Sequence, residues 1–355
     1  MTTRPKPIRV RFLTQTDEQG ASARLRVYSY VNYLAAEGLQ ITVDPANTEA
    51  TTIGYARTAL QRMTGIVETA ALNDVIVIQR DFVNHMVPWI EWLYAKSGRP
   101  LILDVDDAID LRPPGHPEGW RSKLLGTDGK LESLARMAHT VVAGNHYLAG
   151  RIREWNPNVQ VIPTCLDLSA WPRPAPRRLP AGRPIVIGWI GSPLTTFYLG
   201  LVKEALRGIA ARRQIVFRTV GATALSWEGV PLEQRIWRAE TELAEIEQFD
   251  IGIMPLTDDE WSRGKCGTKI IQYFAAAVPV VASPVGMNVD ALDGGKAGLL
   301  ASTTREWTEA FDRLLGDPGL YTQLSVAGRD RAETQYDLRR YVPLWSEIIH
   351  KAAER

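Results

Sequence analysis

The sequence predicts an α/β protein built from two doubly wound domains that face each other across a cleft. Three observations carry that prediction. Short, continuously apolar runs such as Val75-Ile76-Val77-Ile78 and Leu101-Ile102-Leu103 alternate with amphipathic helical stretches, which is the pattern of parallel strands covered on both faces. The alternation stops near residue 163 and starts again at residue 185. At 355 residues the chain also exceeds what most single hydrophobic cores accommodate.

In the first half, residues 8–13 read as a buried strand, followed by the polar loop TQTDEQGASAR. A helix over about 24–36 carries Tyr28, Val31 and Leu34 at helical spacing and stops near Gly38. A strand over 39–43, a helical pattern over 55–65, the strands at 75–78 and 101–103, a Trp-rich helix over 86–97, and strands at 140–143 and 159–162 complete the set. Pro163, Pro172, Pro174, Pro176, Pro180 and Pro184, interspersed with Arg173, Arg177, Arg178 and Arg183, resist helix and sheet and read as a linker. The second half opens with a strand over 185–190, the turn GSPLTT and a helix over 196–212. Further strands follow at 215–220, 251–254, 280–282 and 299–300. A last helix over 338–352 places Tyr341, Val342, Trp345, Ile348 and Ile349 on one face, which packs on a domain surface. The expected boundaries are an N-terminal Rossmann-like domain over 1–165, the linker over 166–184, a second Rossmann-like domain over 185–335 and the terminal helix over 336–355.

Forty-one basic against forty acidic residues leave a formal net charge of +1, so no global field grips nucleic acid, and any anion site is local. The two cysteines, Cys165 and Cys266, lack metal-ligand spacing and point to a reducing cytoplasm. No run reaches signal-peptide or transmembrane length. Eleven tryptophans, with Trp89 and Trp92 close together, leave room for weak peripheral membrane contact, although tryptophans more often fill cores or line clefts.

The stretch 261–288, WSRGKCGTKIIQYFAAAVPVVASPVGMN, joins a basic loop, a helix over about 268–277 and a strand over 279–282. A loop entering a helix leaves backbone N–H groups without partners, which suits phosphate, and Lys265 and Lys269 add charge. Lys265, Lys269 and Gln272 repeat at i, i+4, i+7 and so share a polar face toward a solvent cleft if the helix starts at residue 265. Ile270, Ile271, Phe274 and Val278 form the apolar face. The turn GWIGSPLTT is a second amide cradle. Gly188 and Gly191 permit close approach, and Ser192, Thr195 and Thr196 cap the helix or bind phosphate. A GxGxxG fingerprint is absent, which argues against a nicotinamide enzyme. In LDVDDAID, Asp104 and Asp106 share a strand face and Asp107 sits at the turn, a cluster that reads as a divalent-metal ligand set, an acceptor-hydroxyl ligand, a base, or a cap. Arg24, Arg26 and Arg80 follow strand ends and are cleft candidates, with a surface position favoured for Arg26. His85, His116, His139, His146 and His350 show no ligand spacing.

With Gly191-Ser192, the basic loop, FDIGIMPL and AAAVPVVASPVG, the sequence resembles the retaining family 4 type of GT-B glycosyltransferases, and ASARLRV, LDVDDAIDL and VIPTCLD extend the likeness into the first half. The resemblance implies a metal-independent hexosyltransferase that moves a sugar from a nucleotide-sugar donor to a hydroxyl of a glycan, lipid-linked or small-molecule acceptor. The nucleotide-sugar is a co-substrate, and no cofactor or metal is expected. The resemblance implies donor binding by Gly191, Ser192, Thr195, Thr196, Trp237, Lys265 and Gln272, catalytic roles for Arg263, Lys269, Asp106 and Asp107, and an acceptor side at Arg24 and Arg80. Gly264 and Gln272 stand where the family commonly carries two glutamates, and Gln272 is able to hold the ribose through its carbonyl oxygen. The alternatives are a nucleotide-sugar epimerase, which turns over donor without an acceptor, and a non-catalytic nucleotide-sugar-binding protein.

Overall fold

The computed structural model describes residues 6–46, 51–81, 88–112 and 129–354. These form two compact units. The first comprises Met1–Cys165 with Gly264–Cys266 and Leu338–Arg355, and the second Leu166–Arg263 with Gly267–Asp337. Each contains one six-stranded sheet in which every pairing is parallel.

In the first unit the strands are β1 (Arg9–Thr14), β2 (Gln40–Pro45), β3 (Val75–Gln79), β4 (Leu101–Val105), β5 (Thr140–Ala143) and β6 (Val159–Val161), in the order β2-β1-β3-β4-β5-β6. All five residues of β3 and of β4 are buried, as the apolar runs predict. The direction of chain progression reverses between β1 and β3. In a doubly wound sheet that reversal opens a crevice at the carboxyl ends of the two strands. The helix Val342–Ala353 completes this unit's core. Trp345 is 1% exposed, and its ring centroid lies 6.1 Å from Phe12 and 6.5 Å from Tyr30. Of the apolar face expected, Val342, Trp345, Ile348 and Ile349 are buried, whereas Tyr341 is only partly buried and precedes the helix, which starts at Val342 rather than at residue 338.

In the second unit β7 (Ile185–Ile190), β8 (Ile215–Val220), β9 (Leu232–Arg235), β10 (Ile251–Met254), β11 (Val280–Ala282) and β12 (Leu299–Leu300) run in the order β12-β11-β10-β7-β8-β9, and the reversal falls between β7 and β10. These two strands pair only at Ile187↔Ile251 and Gly188↔Gly252, so beyond Gly188 they diverge. Tyr273 fills the split: its hydroxyl accepts from Ile190 N at 3.2 Å and donates to Ile253 O at 3.4 Å.

Several expectations need correction. The helix predicted over 24–36 is broken into Ala21–Arg26, a 3-10 turn Tyr28–Tyr30 and Val31–Ala36. The break falls at Val27, whose φ of −124° and ψ of −66° leave the helical region while its side chain packs into the core. The helix predicted over 196–212 opens earlier, at Pro193, as a 3-10 helix Pro193–Val202 and continues as Lys203–Ala210. Trp237 lies two residues beyond the end of β9. The Trp-rich helix is seen as Trp89–Ala95, and its expected start at residue 86 lies outside the described residues. In the proline-rich stretch, Arg177 donates to Ala276 O and Phe249 O, and Arg183 forms an ion pair with Asp250.

Candidate functional site

At the second unit's crevice the chain leaves β7 through Gly191. Its amide donates to Val220 O, and the next strand leaves through Gly221, φ +81°, where a side chain would meet Gly191 O at 2.3 Å. Across this end lies Lys269. It belongs to the helix Thr268–Ala275, which starts after Gly267, φ +66°, a left-handed conformation that glycine adopts at little cost. A Cβ at Gly191 would fall 2.7 Å from Lys269 Cε and 2.4 Å from the Trp189 ring, so only glycine lets the lysine stem cross the strand end. The Lys269 ammonium lies 5.4 Å from the Trp189 ring centroid, a cation–π distance.

Because the helix starts at Thr268, Lys265 is not on it, and the polar face predicted for Lys265, Lys269 and Gln272 does not form. Gln272 is 4% exposed and therefore buried, whereas Lys269 is half-buried. Ile270, Ile271, Phe274 and Val278 are buried as expected. Ser192 is exposed and makes no side-chain cap. Thr195 and Thr196 are buried with their hydroxyls engaged: Thr195 donates to Ser192 O at 3.0 Å, and Thr196 accepts from Thr223 N at 3.0 Å. Gly188 serves packing rather than ligand approach, since a Cβ there would fall 2.0 Å from the Phe249 ring. Arg263 pairs with Asp258 at 2.7 Å. Trp237, half-buried, donates from Nε1 to Glu242 Oε1 at 2.9 Å.

The first unit gathers charge at the carboxyl ends of β1, β3 and β4. Arg26 is 3% exposed, not a surface residue. Its guanidinium bonds both oxygens of Asp104, from Nε at 3.0 and 2.8 Å, and its Nη1 donates to Ile162 O at 3.0 Å. Burial raises the Asp104 carboxyl and the Arg26 charge opposes it. Asp104 is thereby committed to Arg26, while Asp106, beyond the strand end, accepts from Ser22. Arg80 occupies the left-handed region, φ 67°, an unfavourable backbone for a non-glycine residue. Its Nε stands 3.5 Å from Asp106 Oδ1 and its Nη2 3.5 Å from Asp107 Oδ2. At 3.5 Å the first pair is an ion pair without a hydrogen bond, and among the described residues neither Arg80 Nε nor Asp106 Oδ1 has another hydrogen-bond partner. Burial lowers the Arg80 guanidinium, but Asp106 and Asp107 outweigh it and hold the charge. Arg24 is half-buried on the same helix as Arg26.

Lys265 and Cys266 also belong to this unit. Lys265 Nζ lies 3.1 Å from both oxygens of Asp107. Asn145, 2% exposed, holds the segment: its Oδ1 caps the helix His146–Arg153 through Leu148 N at 2.8 Å, and its Nδ2 donates to Gly264 O and Lys265 O, both at 3.0 Å. Gly144 makes room for Cys266, whose Sγ would lie 2.4 Å from a Cβ there. Burial, with the charge of Asp106 beside it, pushes the Cys266 thiol well up, so it stays protonated at neutral pH.

Residues 186–317 match the family described as glycosyl transferases group 1. No curated protein matches the chain. Among solved structures, sucrose-phosphate synthase from Thermosynechococcus elongatus aligns with a TM-score of 0.72 at 14% identity, covering 97% of this chain and 98% of that one. HepE from Anabaena, in complex with UDP and glucose, aligns at 0.69 and 14%, over 97% and 100%. WaaG, a glycosyltransferase involved in lipopolysaccharide biosynthesis, aligns at 0.66 and 14%, over 96% and 99%.

The fold is that of the GT-B glycosyltransferases. Within this GT-B chain, the matched segment contains Gly191, Lys269 and Gln272. The structure brings Gly191 together with Lys269, and Asp107 with Lys265 and Arg80, whereas Arg263 and Trp237 have other partners. Sequence reasoning missed Tyr273 and Asn145. An Asn directly before a helical pattern was the available signal for Asn145, as a cap. His85 and His116 lie outside the described residues.

Proposed function

We propose that the chain is a retaining, metal-independent hexosyltransferase that moves a sugar from a nucleoside-diphosphate donor to an acceptor hydroxyl in the cytoplasm. The observation that carries this reading is the Lys269 ammonium lying over the glycine-lined end of β7, next to a helix start without a side-chain cap, in the segment that matches the group 1 family. Breaking the bond between the anomeric carbon and the diphosphate oxygen leaves negative charge on the diphosphate. Fixed cations lower that barrier. Lys269 supplies one, and Lys265 and Arg263 supply others by exchanging their carboxylate partners for phosphate. The acceptor oxygen attacks the anomeric carbon on the face the diphosphate leaves, and its proton passes to a phosphate oxygen. Asp106 orients that hydroxyl through Oδ1, with Arg80 and Arg24 on the acceptor side.

HepE was crystallised with UDP and glucose, so UDP-sugars are the first donors to test, alongside GDP-, ADP- and dTDP-sugars in a thermal-shift screen. A donor that stabilises wild type and not Lys269→Met, with Lys269→Met losing about a hundredfold in kcat/KM, supports the reading. Equal behaviour of the two proteins overturns it, as does an inverted anomeric centre for the retaining step.

A further inference from the structure

Three residues of the basic loop, Gly264, Lys265 and Cys266, belong to the first unit and lie in neither helix nor strand. Backbone carbonyls held away from water need hydrogen-bond partners, and no regular element supplies them to this segment. Asn145 does. The two hydrogens of its amide go one each to Gly264 O and Lys265 O, both at 3.0 Å, and the same nitrogen lies 3.7 Å from Cys266 Sγ. Its oxygen accepts from Leu148 N, 2.8 Å away, at the start of the helix His146–Arg153. Turning the amide over would set that oxygen against two carbonyls and its hydrogens against an N–H, so both ends of the side chain are fixed.

Gly144, one residue earlier, shapes the rest of this seat. Its amide donates to Val105 O at 2.7 Å, and a side chain there would meet Cys266 Sγ at 2.4 Å and Asp106 Cα at 3.1 Å. The pair Gly144-Asn145 thus supports both the loop that carries Lys265 and the turn that carries Asp107. The backbone of the lysine and the carboxylate that holds its ammonium rest on one base. Capping the helix and seating the loop are separate duties. Serine, threonine and aspartate cap as well as asparagine does, but only asparagine joins the cap oxygen to two N–H donors.

We propose that Asn145 is a positioning residue for Lys265: by fixing the backbone at 264–266 it lets the lysine exchange Asp107 for a donor phosphate through side-chain rotation alone. Without the seat, a phosphate that takes Lys265 must also order three residues of backbone, and that conformational entropy is lost from the affinity. The phosphate half of the proposal rests on the transferase reading above, and the seat itself rests on the geometry of the loop.

The test substitution is Asn145→Ser, which keeps a capping oxygen and loses the two N–H donors. Cys266 reports on the seat, and Cys165, 0% exposed in the same unit, reports on general opening of that unit. The full chain is pulsed with N-ethylmaleimide under native conditions, and the two thiols are followed separately by peptide mass spectrometry. Asn145→Ser speeds Cys266 at least about tenfold and leaves Cys165 unchanged, because a released Cys266 loses the burial that keeps its thiol protonated. In calorimetry the same variant weakens UDP binding about fivefold, and in a Lys265→Met background it changes nothing further. The proposal is overturned if both thiols speed up together, if Cys266 keeps its wild-type rate, if UDP affinity survives Asn145→Ser where Lys265→Met lowers it, or if the loss is as large without Lys265. Failure of the transferase reading looks different: UDP then binds wild type and Lys269→Met alike, which removes the phosphate from the proposal, and the thiol rates alone uphold or overturn the seat.

Discussion

Lys265 Nζ lies 3.1 Å from each carboxylate oxygen of Asp107, and the same carboxylate stands 3.5 Å from Arg80 Nη2. One anion thus serves two cations, and a phosphate that takes Lys265 leaves Asp107 to Arg80. We expect Asp107→Asn to strengthen UDP binding about fivefold and Lys265→Met to weaken it by a similar factor, the pair being only partly buried. In the double variant the gain from Asp107→Asn disappears, which a calorimetric double-mutant cycle reads directly.

A second expectation concerns Gly191. The would-be Cβ meets the Trp189 ring, 1% exposed and unable to yield, and the Lys269 stem, which is able to move. Gly191→Ala should cost about 1–3 kcal/mol in urea denaturation and weaken UDP binding further by displacing the ammonium. Ser192→Ala, one residue on and exposed, should leave stability within about 0.5 kcal/mol. Equal stability of the two variants would show that the site is roomier than its geometry states.

Third, Arg26 and Asp104 are buried together. Arg26→Ala strands a carboxylate in the core and should cost about 3–5 kcal/mol, whereas the combined Arg26→Met/Asp104→Leu should recover much of that loss. Equilibrium unfolding of the four proteins checks the order.

The contrast between that pair and its surroundings explains what was legible in the sequence. Residues 75–78 read as a strand because a strand buried on both faces has no polar side to show. Arg26 read as a surface residue because its partner lies 78 positions away. Helical spacing put Gln272 beside Lys269, but spacing states only which residues share a face, and packing around the helix buries the glutamine. Asn145 carried a visible capping signal through its oxygen. Its amide nitrogen meets Gly264 O and Lys265 O only once the chain has folded.

Fourth, acid stability should depend on Asp74. Hydrogen bonds from Arg9 hold its carboxyl down from 3.8 to about 2, against the opposing effect of desolvation. A depressed folded-state value stabilises above the unfolded value of 3.8, and the contribution is lost as the pH falls through about 2. With side chains 25% and 32% exposed, the pair contributes no more than about 1 kcal/mol. Asp74→Asn should therefore lower stability at pH 7 by that amount and flatten the stability–pH curve between about 4 and 2. A curve unchanged in that window would place the acid sensitivity elsewhere.

The closing of the first unit's core by Trp345 has a consequence for how the protein is made. Domains generally fold in the order in which they leave the ribosome. Here Phe12 and Tyr30 wait for a ring more than 300 residues further along the chain. The face of the first sheet that Trp345 covers therefore stays open until that ring has been made and has docked.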